Sequence, residues 1–353
     1  MNGGQRMILE GKRLLITGGT GSLGQALCRR LMTGEMGLPS KITVFSRDET
    51  KQHYMRLEHL RLRAATDDAI YNETKDLLSF RIGDIRNYSS LVQAIQETDV
   101  VFHAAAMKQV PTCEYFPFEA VQTNIIGTQN LVRAIKENKT SVETVAGIST
   151  DKASKPVNVM GMTKAIQERI LVQANQECSD TRFICVRYGN VLSSRGSVVP
   201  LFIDQIRRGG PVTITLKEMT RFLLSLDDAV DAVFAAVRYG FRGETYIPKV
   251  ASARVTDIAD VLINGRNIPS IYTGIRPGEK VHEILISEEE CHRTFERDGY
   301  YGILPILPEL RMSDPKEHPL EKEYSSREAT LNRDMLTSIL SPYIPSSSGH
   351  EES

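Results

Sequence analysis

Between Ser149 and Lys164 the chain reads S-T-D-K-A-S-K-P-V-N-V-M-G-M-T-K. Asp151 and Lys152 place a carboxyl beside an amine, so one short segment offers both an acid and a base to neighbouring atoms of a single substrate. Burial would raise the pKa of Asp151 and lower that of Lys152, bringing both toward the range where proton transfer is useful. Thr150 adds a hydroxyl immediately before the pair, and Lys164 a second amine further on. Met160, four positions before Lys164, can neither give nor accept a proton. The competing reading is a surface turn carrying a solvated ion pair.

The elements that must position these residues follow from hydrophobic patterning. Short apolar runs at 13–17, 41–46, 79–83, 100–104, 144–149 and 182–188 are too short for helices and read as buried strands. Helix-period segments at 22–31, 48–65, 88–97, 118–138 and 158–176 lie between them. Such alternation predicts an α/β fold, a Rossmann-type doubly wound parallel sheet, because parallel neighbours need crossover helices. Asp151 and Lys152 then sit at the carboxyl end of a strand, the edge where such sheets bind ligands.

The charged insert 66–75 reads as a loop or helix extension. After about Asn190 the pattern becomes irregular, with candidate helices at 201–208, 227–239 and 256–263. The expected organisation is a dinucleotide-binding domain over 10–190 that carries the 149–164 segment. A smaller α/β substrate-binding domain over 191–340 is interleaved with it, and a disordered Ser-rich tail occupies 341–353.

With 353 residues there is ample material for a core, and a formal net charge of −1 argues against a nucleic-acid partner held by a bulk basic surface. No apolar run approaches the ~18 residues of a membrane span, and residues 1–12 lack a signal-peptide core, so the expectation is a soluble cytoplasmic protein. The five cysteines show no C-x-x-C spacing and leave an odd thiol, which argues against a disulfide framework. No recognisable ligand spacing supports a metal site at His282, Cys291 and His292.

Thr17-Gly-Gly-Thr-Gly-Ser-Leu-Gly24 follows the first strand and opens the first helix. Gly18, Gly21 and Gly24 allow a tight turn, close approach of backbone to a pyrophosphate and tight helix–strand packing, with Thr20, Ser22 and Leu23 completing the turn. The G-x-x-G-x-x-G form in this context resembles the short-chain dehydrogenase superfamily. In that superfamily the usual catalytic pair is Tyr-x-x-x-Lys, and here Met160 stands at the Tyr position while Lys164 is kept. Ser46 and Arg47, the first residues after the second strand, suit a 2′-phosphate and favour NADP over NAD, although Asp48 can still serve NAD. By the same resemblance Asp84 and Ile85 contact adenine, while Ala104, Ala105 and Ala106 admit the cofactor. Thr123 and Asn124 support the nicotinamide side, and His103 reads as structural.

Further motifs occur in order: Ala106-Met-Lys-Gln-Val-Pro111, Ser149-Thr-Asp-Lys152, Asn158-Val-Met-Gly161, Arg187-Tyr-Gly-Asn-Val191, Ser194-Arg-Gly-Ser197, Met219-Thr-Arg-Phe222 and Arg276-Pro-Gly-Glu-Lys280. Over roughly residues 10–340 they resemble the soluble UDP-N-acetylglucosamine 4,6-dehydratases, and among these the capsular branch, some of whose members carry Met for Tyr and invert C5. The resemblance implies a redox-neutral reaction with a tightly bound, recycled cofactor. Oxidation at C4 acidifies the C5 proton, water leaves from C6, and hydride returns to C6.

It further implies that Asp151 protonates the departing C6 oxygen and Lys152 removes the C5 proton. Thr150 hydrogen-bonds the C4 oxygen, and Lys164 binds the nicotinamide ribose. Lys108, Asn190, Val198 and Glu279 fall to substrate binding, with Arg195, Arg221 and Arg276 as candidates for the UDP diphosphate. Residues 323–326 and 331–333 resemble a C-terminal latch, which implies a homo-oligomer, a dimer or hexamer. Two other readings stay open: a nucleotide-sugar 4-epimerase, which needs no acid and base at C5 and C6, and a non-catalytic dinucleotide-binding regulator. The group that takes the C4 hydroxyl proton and the face of C5 that is reprotonated stay open too.

Overall fold

The computed structural model describes residues 7–60, 77–138, 140–192, 197–311, 318–328 and 330–344. The insert 66–75, Arg195 and the tail from 345 onward fall outside these residues, and with them the expectations placed there.

Strands β1 (Arg13–Thr17), β2 (Lys41–Ser46), β3 (Leu78–Ile82), β4 (Val100–His103), β5 (Thr144–Thr150) and β6 (Arg182–Tyr188) form the parallel sheet. They alternate with α1 (Ser22–Met32), α2 (Glu49–Leu60), α3 (Tyr88–Ile95), α4 (Val110–Tyr115), α5 (Pro117–Ala120), α6 (Gly127–Glu137) and α7 (Val159–Glu177). Three more strands, β9 (Thr245–Pro248), β13 (Thr294–Arg297) and β14 (Tyr300–Ile303), extend the sheet to the order β13-β14-β9-β6-β5-β4-β1-β2-β3. The pairs from β3 through β9 are parallel, whereas β14 and β13 are added antiparallel. The doubly wound sheet is therefore present, and segments beyond residue 190 complete its far edge.

The inner strands bury both faces, which is why they read as apolar runs rather than as alternation. On β1, Leu14 and Ile16 join one core with Ala26 and Leu27 of α1 and Val230 and Val233 of α9 (Leu226–Tyr239). Leu15 joins the opposite core with Leu131 and Ile135 of α6 and Leu171 of α7. The remaining C-terminal elements are α8 (Val198–Arg207), β7 (Val212–Ile214), β8 (Thr220–Phe222), β10 (Ser252–Arg254), α10 (Val255–Ile263), β11 (Ser270–Tyr272), β12 (Ile284–Ile286), α11 (Glu288–Cys291), β15 (Tyr324–Ser325) and α12 (Arg333–Leu340). Val199, Phe202, Ile258, Leu262 and Leu336 pack a third core there.

The helix expected over 118–138 is broken by a π-helical segment, Val121–Ile126. A periodicity of 3.6 cannot register one wider turn, and such turns often mark functional positions. No described helix is long and apolar enough to cross a membrane, and all five cysteines are buried and unpaired.

The C-terminal elements are tied to the sheet by one buried guanidinium. Arg187 on β6 uses every donor it has. Its Nε and Nη2 reach Glu168 of α7 at 3.0 and 2.6 Å, its Nη1 and Nη2 reach Glu290 of α11 at 2.8 and 3.0 Å, and Nη1 also reaches the Leu285 carbonyl at 2.8 Å. Burial pushes the Glu290 carboxyl up, but Arg187 outweighs it and holds the group at about 2. Arg187→Met would leave two facing carboxylates buried without their cation. It should lose about 3–5 kcal/mol of stability in urea unfolding followed by circular dichroism. A loss within ~0.5 kcal/mol would show that the fork contributes nothing.

Candidate active site

Residue Thr150 ends β5, and Asp151–Ala153 make a single 3-10 turn before α7. Gly161 permits this close approach, because a Cβ there would collide with the Lys152 carbonyl. Asn158 caps α7 by accepting from the Gly161 amide at 2.7 Å. Asp151 is wholly buried. Its Oδ1 accepts from the Thr150 hydroxyl at 2.7 Å and from Lys152 Nζ at 3.0 Å, while Oδ2 has no hydrogen-bond partner among the described residues. Gly189 packs tightly under Phe222, where a Cβ would come within 2.6 Å of the Phe222 Cβ and lie at ordinary contact distance, 3.5 Å, from that oxygen. Lys152 Nζ also donates to Asn190 Oδ1 at 3.2 Å and stands 3.3 Å from Glu283 Oε1. The surface-turn reading does not describe this buried arrangement.

Burial raises the pKa of Asp151, as expected. The expectation for Lys152 is overturned. Burial alone pulls it down, but the carboxylates of Asp151 and Glu283 outweigh burial and hold it above the ordinary lysine value. Burial likewise pushes Glu283 up, and Lys152, Arg221 and Lys280 together bring it below the usual carboxylate range. Glu283 did not figure among the expected site residues. Its one signal in the sequence is weak, a carboxylate closely following the cation-bearing segment 276–280.

Lys164 is buried and donates to the Ile148 carbonyl and, at 2.7 Å, to Gln167 Oε1. Burial lowers its pKa to about 8. Met160 packs into a small apolar cluster with Cys113 and Ala120, flanked by Met107 and Val110. Asn124, on the π-helical segment, clamps the chain after β4. Its Oδ1 accepts from the Met107 amide at 2.8 Å, and its Nδ2 donates to the Met107 carbonyl and to Thr163 Oγ1 at 3.0 and 2.9 Å. The neighbouring Thr123 hydroxyl is buried without a partner among the described residues.

The glycine turn lies at the carboxyl end of β1, next to that of β4, where the strand order reverses. Gly18 has φ +67°, and a Cβ there would come within 2.8 Å of the Ala105 backbone. Gly24 packs against Gly19, whereas a Cβ on exposed Gly21 would meet only the Gly18 carbonyl, at 3.2 Å. Gly21 starts α1 without a side-chain cap, which leaves first-turn amides for an anion. Thr20 and Ser22 flank Gly21, and Leu23 packs inward against the core.

At the end of β2, the Ser46 hydroxyl accepts from Gln52 at 3.1 Å. Asp48 accepts from the Lys51 amide at 2.9 Å and pairs with its ammonium, and the largely exposed Arg47 lies 3.5 Å from Asp84. Asp84 is held below the usual carboxylate range against its own burial by Arg86 and Arg47. Ile85 is buried in the second core, and Ala104 to Ala106 line the half-buried segment after β4.

The expected substrate residues divide. Asn190 joins the Asp151–Lys152 pair by accepting from Lys152. Arg221 is buried, with Nη1 donating to the Thr220 and Val281 carbonyls at 2.7 and 3.2 Å and Nε 3.8 Å from Glu283. Arg276 stands on an exposed loop, and Glu279 beside it accepts from the Arg276 amide at 3.4 Å. That loop is tied to the start of α7 by Asn158, which donates to the Gly278 carbonyl at 2.7 Å, and by Lys280, which donates to the Ser154 carbonyl at 2.5 Å. Lys108 is exposed before α4, and Val198 is half-buried at the start of α8. Tyr324 and Ser325, in the expected latch, pair with β12 of the same chain. Among the described residues no cluster of His, Cys, Asp or Glu could hold a metal.

His103 is bound on both nitrogens. Thr128 donates to the Asn124 carbonyl at 2.7 Å, so it accepts from His103 Nε2–H at 2.9 Å. Thr17 accepts from the Ala105 amide at 3.3 Å, leaving its hydroxyl proton for His103 Nδ1 at 2.8 Å. Burial lowers this ring's pKa to about 3. Between the unfolded value of ~6.5 and that native value only the unfolded chain binds the proton, so stability falls as pH drops through this window. Wild type should lose roughly 1.4 kcal/mol per pH unit more than His103→Asn between pH 6 and about 4, measured by urea unfolding. Equal slopes would mean that the ring is not held neutral.

The family described as polysaccharide biosynthesis protein matches residues 14–305. A UDP-glucose 4-epimerase of Rickettsia bellii is 44% identical over 298 residues, 83% of this chain and 82% of that protein. The Rickettsia prowazekii protein of the same name is 43% identical over 297 residues, with 83% and 82% coverage. Among solved structures, Pen from Bacillus thuringiensis superposes with a TM-score of 0.83 at 34% identity, over 95% of this chain and 98% of that one. DesIV from Streptomyces venezuelae, a dTDP-glucose 4,6-dehydratase with NAD and TYD bound, has a TM-score of 0.63 at 20% identity over 76% and 86%, and speaks to the fold alone. The chain belongs to the polysaccharide biosynthesis protein family, within the extended short-chain dehydrogenases/reductases.

Proposed function

We propose that this chain is an NADP-dependent UDP-N-acetylglucosamine 4,6-dehydratase that makes a UDP-4-keto-6-deoxy-hexosamine for surface polysaccharide. The observation that carries this reading is the Asp151–Lys152 pair at the carboxyl end of β5, with Asp151 wholly buried and its Oδ2 unpartnered among the described residues. A 4-epimerase works at C4 alone and has no use for a dedicated acid and base at C5 and C6.

The glycine turn fits a dinucleotide, since backbone packs tightly at Gly18 and Gly24 and stays open at Gly21. Gly18, Gly21, the first turn of α1, Asp84 and Ala104 to Ala106 would hold it. For the 2′-phosphate, the exposed Arg47 supports NADP, and Asp48 is already engaged by Lys51. When bound, the nicotinamide supplies hydride acceptance from C4 and hydride return to C6. Asp151 gives its proton from Oδ2 to the departing C6 oxygen. Lys152 takes the C5 proton once it has given its own ammonium proton to bulk water, and Thr150 orients the C4 oxygen. Lys164 fixes the inner wall through the Ile148 carbonyl. Lys108, Asn190, Arg221, Arg276 and Glu279, with Arg195 and Val198 nearby in sequence, are proposed to hold the UDP-sugar.

The names of the Rickettsia relatives favour a second reading, a UDP-sugar 4-epimerase. Incubation with UDP-N-acetylglucosamine in heavy water, followed by proton NMR, separates the two. The dehydratase gives a 6-methyl signal with deuterium at C5. Recovery of UDP-N-acetylgalactosamine alone would refute it in favour of the epimerase. In the same assay Lys152→Ala should lower water loss at least ~100-fold, the usual scale for a general base, while leaving dinucleotide affinity within about threefold. Undiminished turnover would remove Lys152 from the mechanism.

A further inference from the structure

Glu283 stands between the 276–280 loop and β12, with its carboxylate buried. Its backbone is fastened on both sides by the C-terminal strap. The Glu283 amide donates to Ser326 Oγ at 2.9 Å, and the Ser326 amide donates to the Glu283 carbonyl at 2.8 Å. Ser326 Oγ is itself held at 2.7 Å from the Thr220 hydroxyl. Glu283 Oε1 lies 3.3 Å from Lys152 Nζ and 3.8 Å from Arg221 Nε, and Oε2 has no hydrogen-bond partner among the described residues.

Lys152 is thus met by two carboxylates, Asp151 from its own turn and Glu283 from the C-terminal segment. Arg221 on β8 and Lys280 on the loop face the same spot, and His282 is turned away onto Thr220 at 2.8 Å. Glu283 therefore has three cations around it, Lys152, Arg221 and Lys280. Asp151 has Lys152 and one hydroxyl, and Lys280 acts on it less strongly than on Glu283. Two carboxylates sharing a buried site do not both ionise readily, and the one with more positive neighbours keeps the charge.

Resting on the dehydratase reading, we propose that Glu283 is a positioning residue: it carries the negative charge of the cluster and so leaves a proton on Asp151, the group that must donate to the sugar. In keeping with this, burial raises the Asp151 pKa, while the surrounding cations bring that of Glu283 below the usual carboxylate range. The proton sits on Oδ2, the oxygen not engaged by Thr150 or Lys152. Deleting the Glu283 charge makes Asp151 the sole carboxylate of Lys152 and draws the proton off it.

The test is carboxyl carbon-13 NMR titration of the full chain, with the Asp151 and Glu283 signals assigned by their loss in Asp151→Asn and Glu283→Gln. In wild type at neutral pH, Asp151 is expected protonated and Glu283 ionised. Labelling aspartate or glutamate alone gives the same reading without a variant, and a glutamate rather than an aspartate found protonated at neutral pH overturns the proposal. In folded Glu283→Gln the Asp151 titration should fall by about one pH unit or more, the size expected for losing a like charge nearby. Glu283→Asp, which keeps the charge, should recover most of it. An Asp151 titration unmoved in Glu283→Gln also overturns the proposal. The alkaline limb of the rate of water loss should fall in step with the NMR value. If the NMR value falls and that limb stays, Glu283 still controls the Asp151 proton and the assignment of Asp151 as the acid is what fails.

Discussion

An ammonium buried at the end of a β-strand needs negative charge brought to it from elsewhere in the fold. Lys152 meets the carboxyl of the adjacent Asp151 and that of Glu283, a residue far along the chain. This requirement explains why so many separate segments meet behind β5. The 276–280 loop is pinned to the start of α7 through Asn158 and Gly278, and Lys280 is pinned to Ser154. The strap around Ser326 fastens Glu283, and Thr220 on β8 fastens the strap. None of these contacts is strongly stabilising alone. Together they fasten the segment that brings Glu283 beside Lys152.

Arg187 repeats the principle one layer deeper. It spans β6, α7 and α11, and α11 follows directly on β12, which begins next to Glu283. Buried ion pairs of this kind gain little over a well-packed apolar contact, because desolvation cancels most of the attraction. What they supply is register, since a five-donor guanidinium accepts few arrangements of its partners. The C-terminal segments thereby hold the site side chains to within hydrogen-bond distances although they enter the main sheet only as β9, β14 and β13.

The parallel sheet and its helices were legible because strands buried on both faces leave apolar runs, and because glycines at 18, 21 and 24 sit where strand meets helix. The Asp151–Lys152 pair was legible for the same reason, as titratable residues at a strand end. The π-helical segment at Thr123–Asn124 was not, since one wide turn does not disturb the pattern of apolar positions around it. Glu283 was not legible either. Its meaning comes from a contact across the fold, and a lone Glu after a basic loop looks like any solvated carboxylate. The pKa of Lys152 was misjudged on the same account, because burial is visible in a buried strand but a distant counter-charge is not. Arg221 offers the converse case, a guanidinium that its sequence motif offers to a diphosphate and that the fold turns onto two carbonyls and Glu283.

Met160 gathers these strands of reasoning. Its side chain fills an apolar pocket with Cys113 and Ala120, and the polar groups nearest in sequence are already committed. Thr163 donates to the Met160 carbonyl at 2.9 Å and accepts from Asn124, and Lys164 is bound to Ile148 and Gln167. A phenol placed in that pocket would need a partner for its hydroxyl, and burial without one costs about 1–3 kcal/mol. The surroundings of Met160 are therefore built for a thioether rather than left behind by a lost tyrosine. Among the described residues, titratable groups with unpartnered, buried oxygens occur instead at Asp151 and Glu283, on either side of Lys152. On the proposed dehydratase reading the proton chemistry belongs to that cluster, and it turns on which of the two carboxyls the surrounding cations leave neutral.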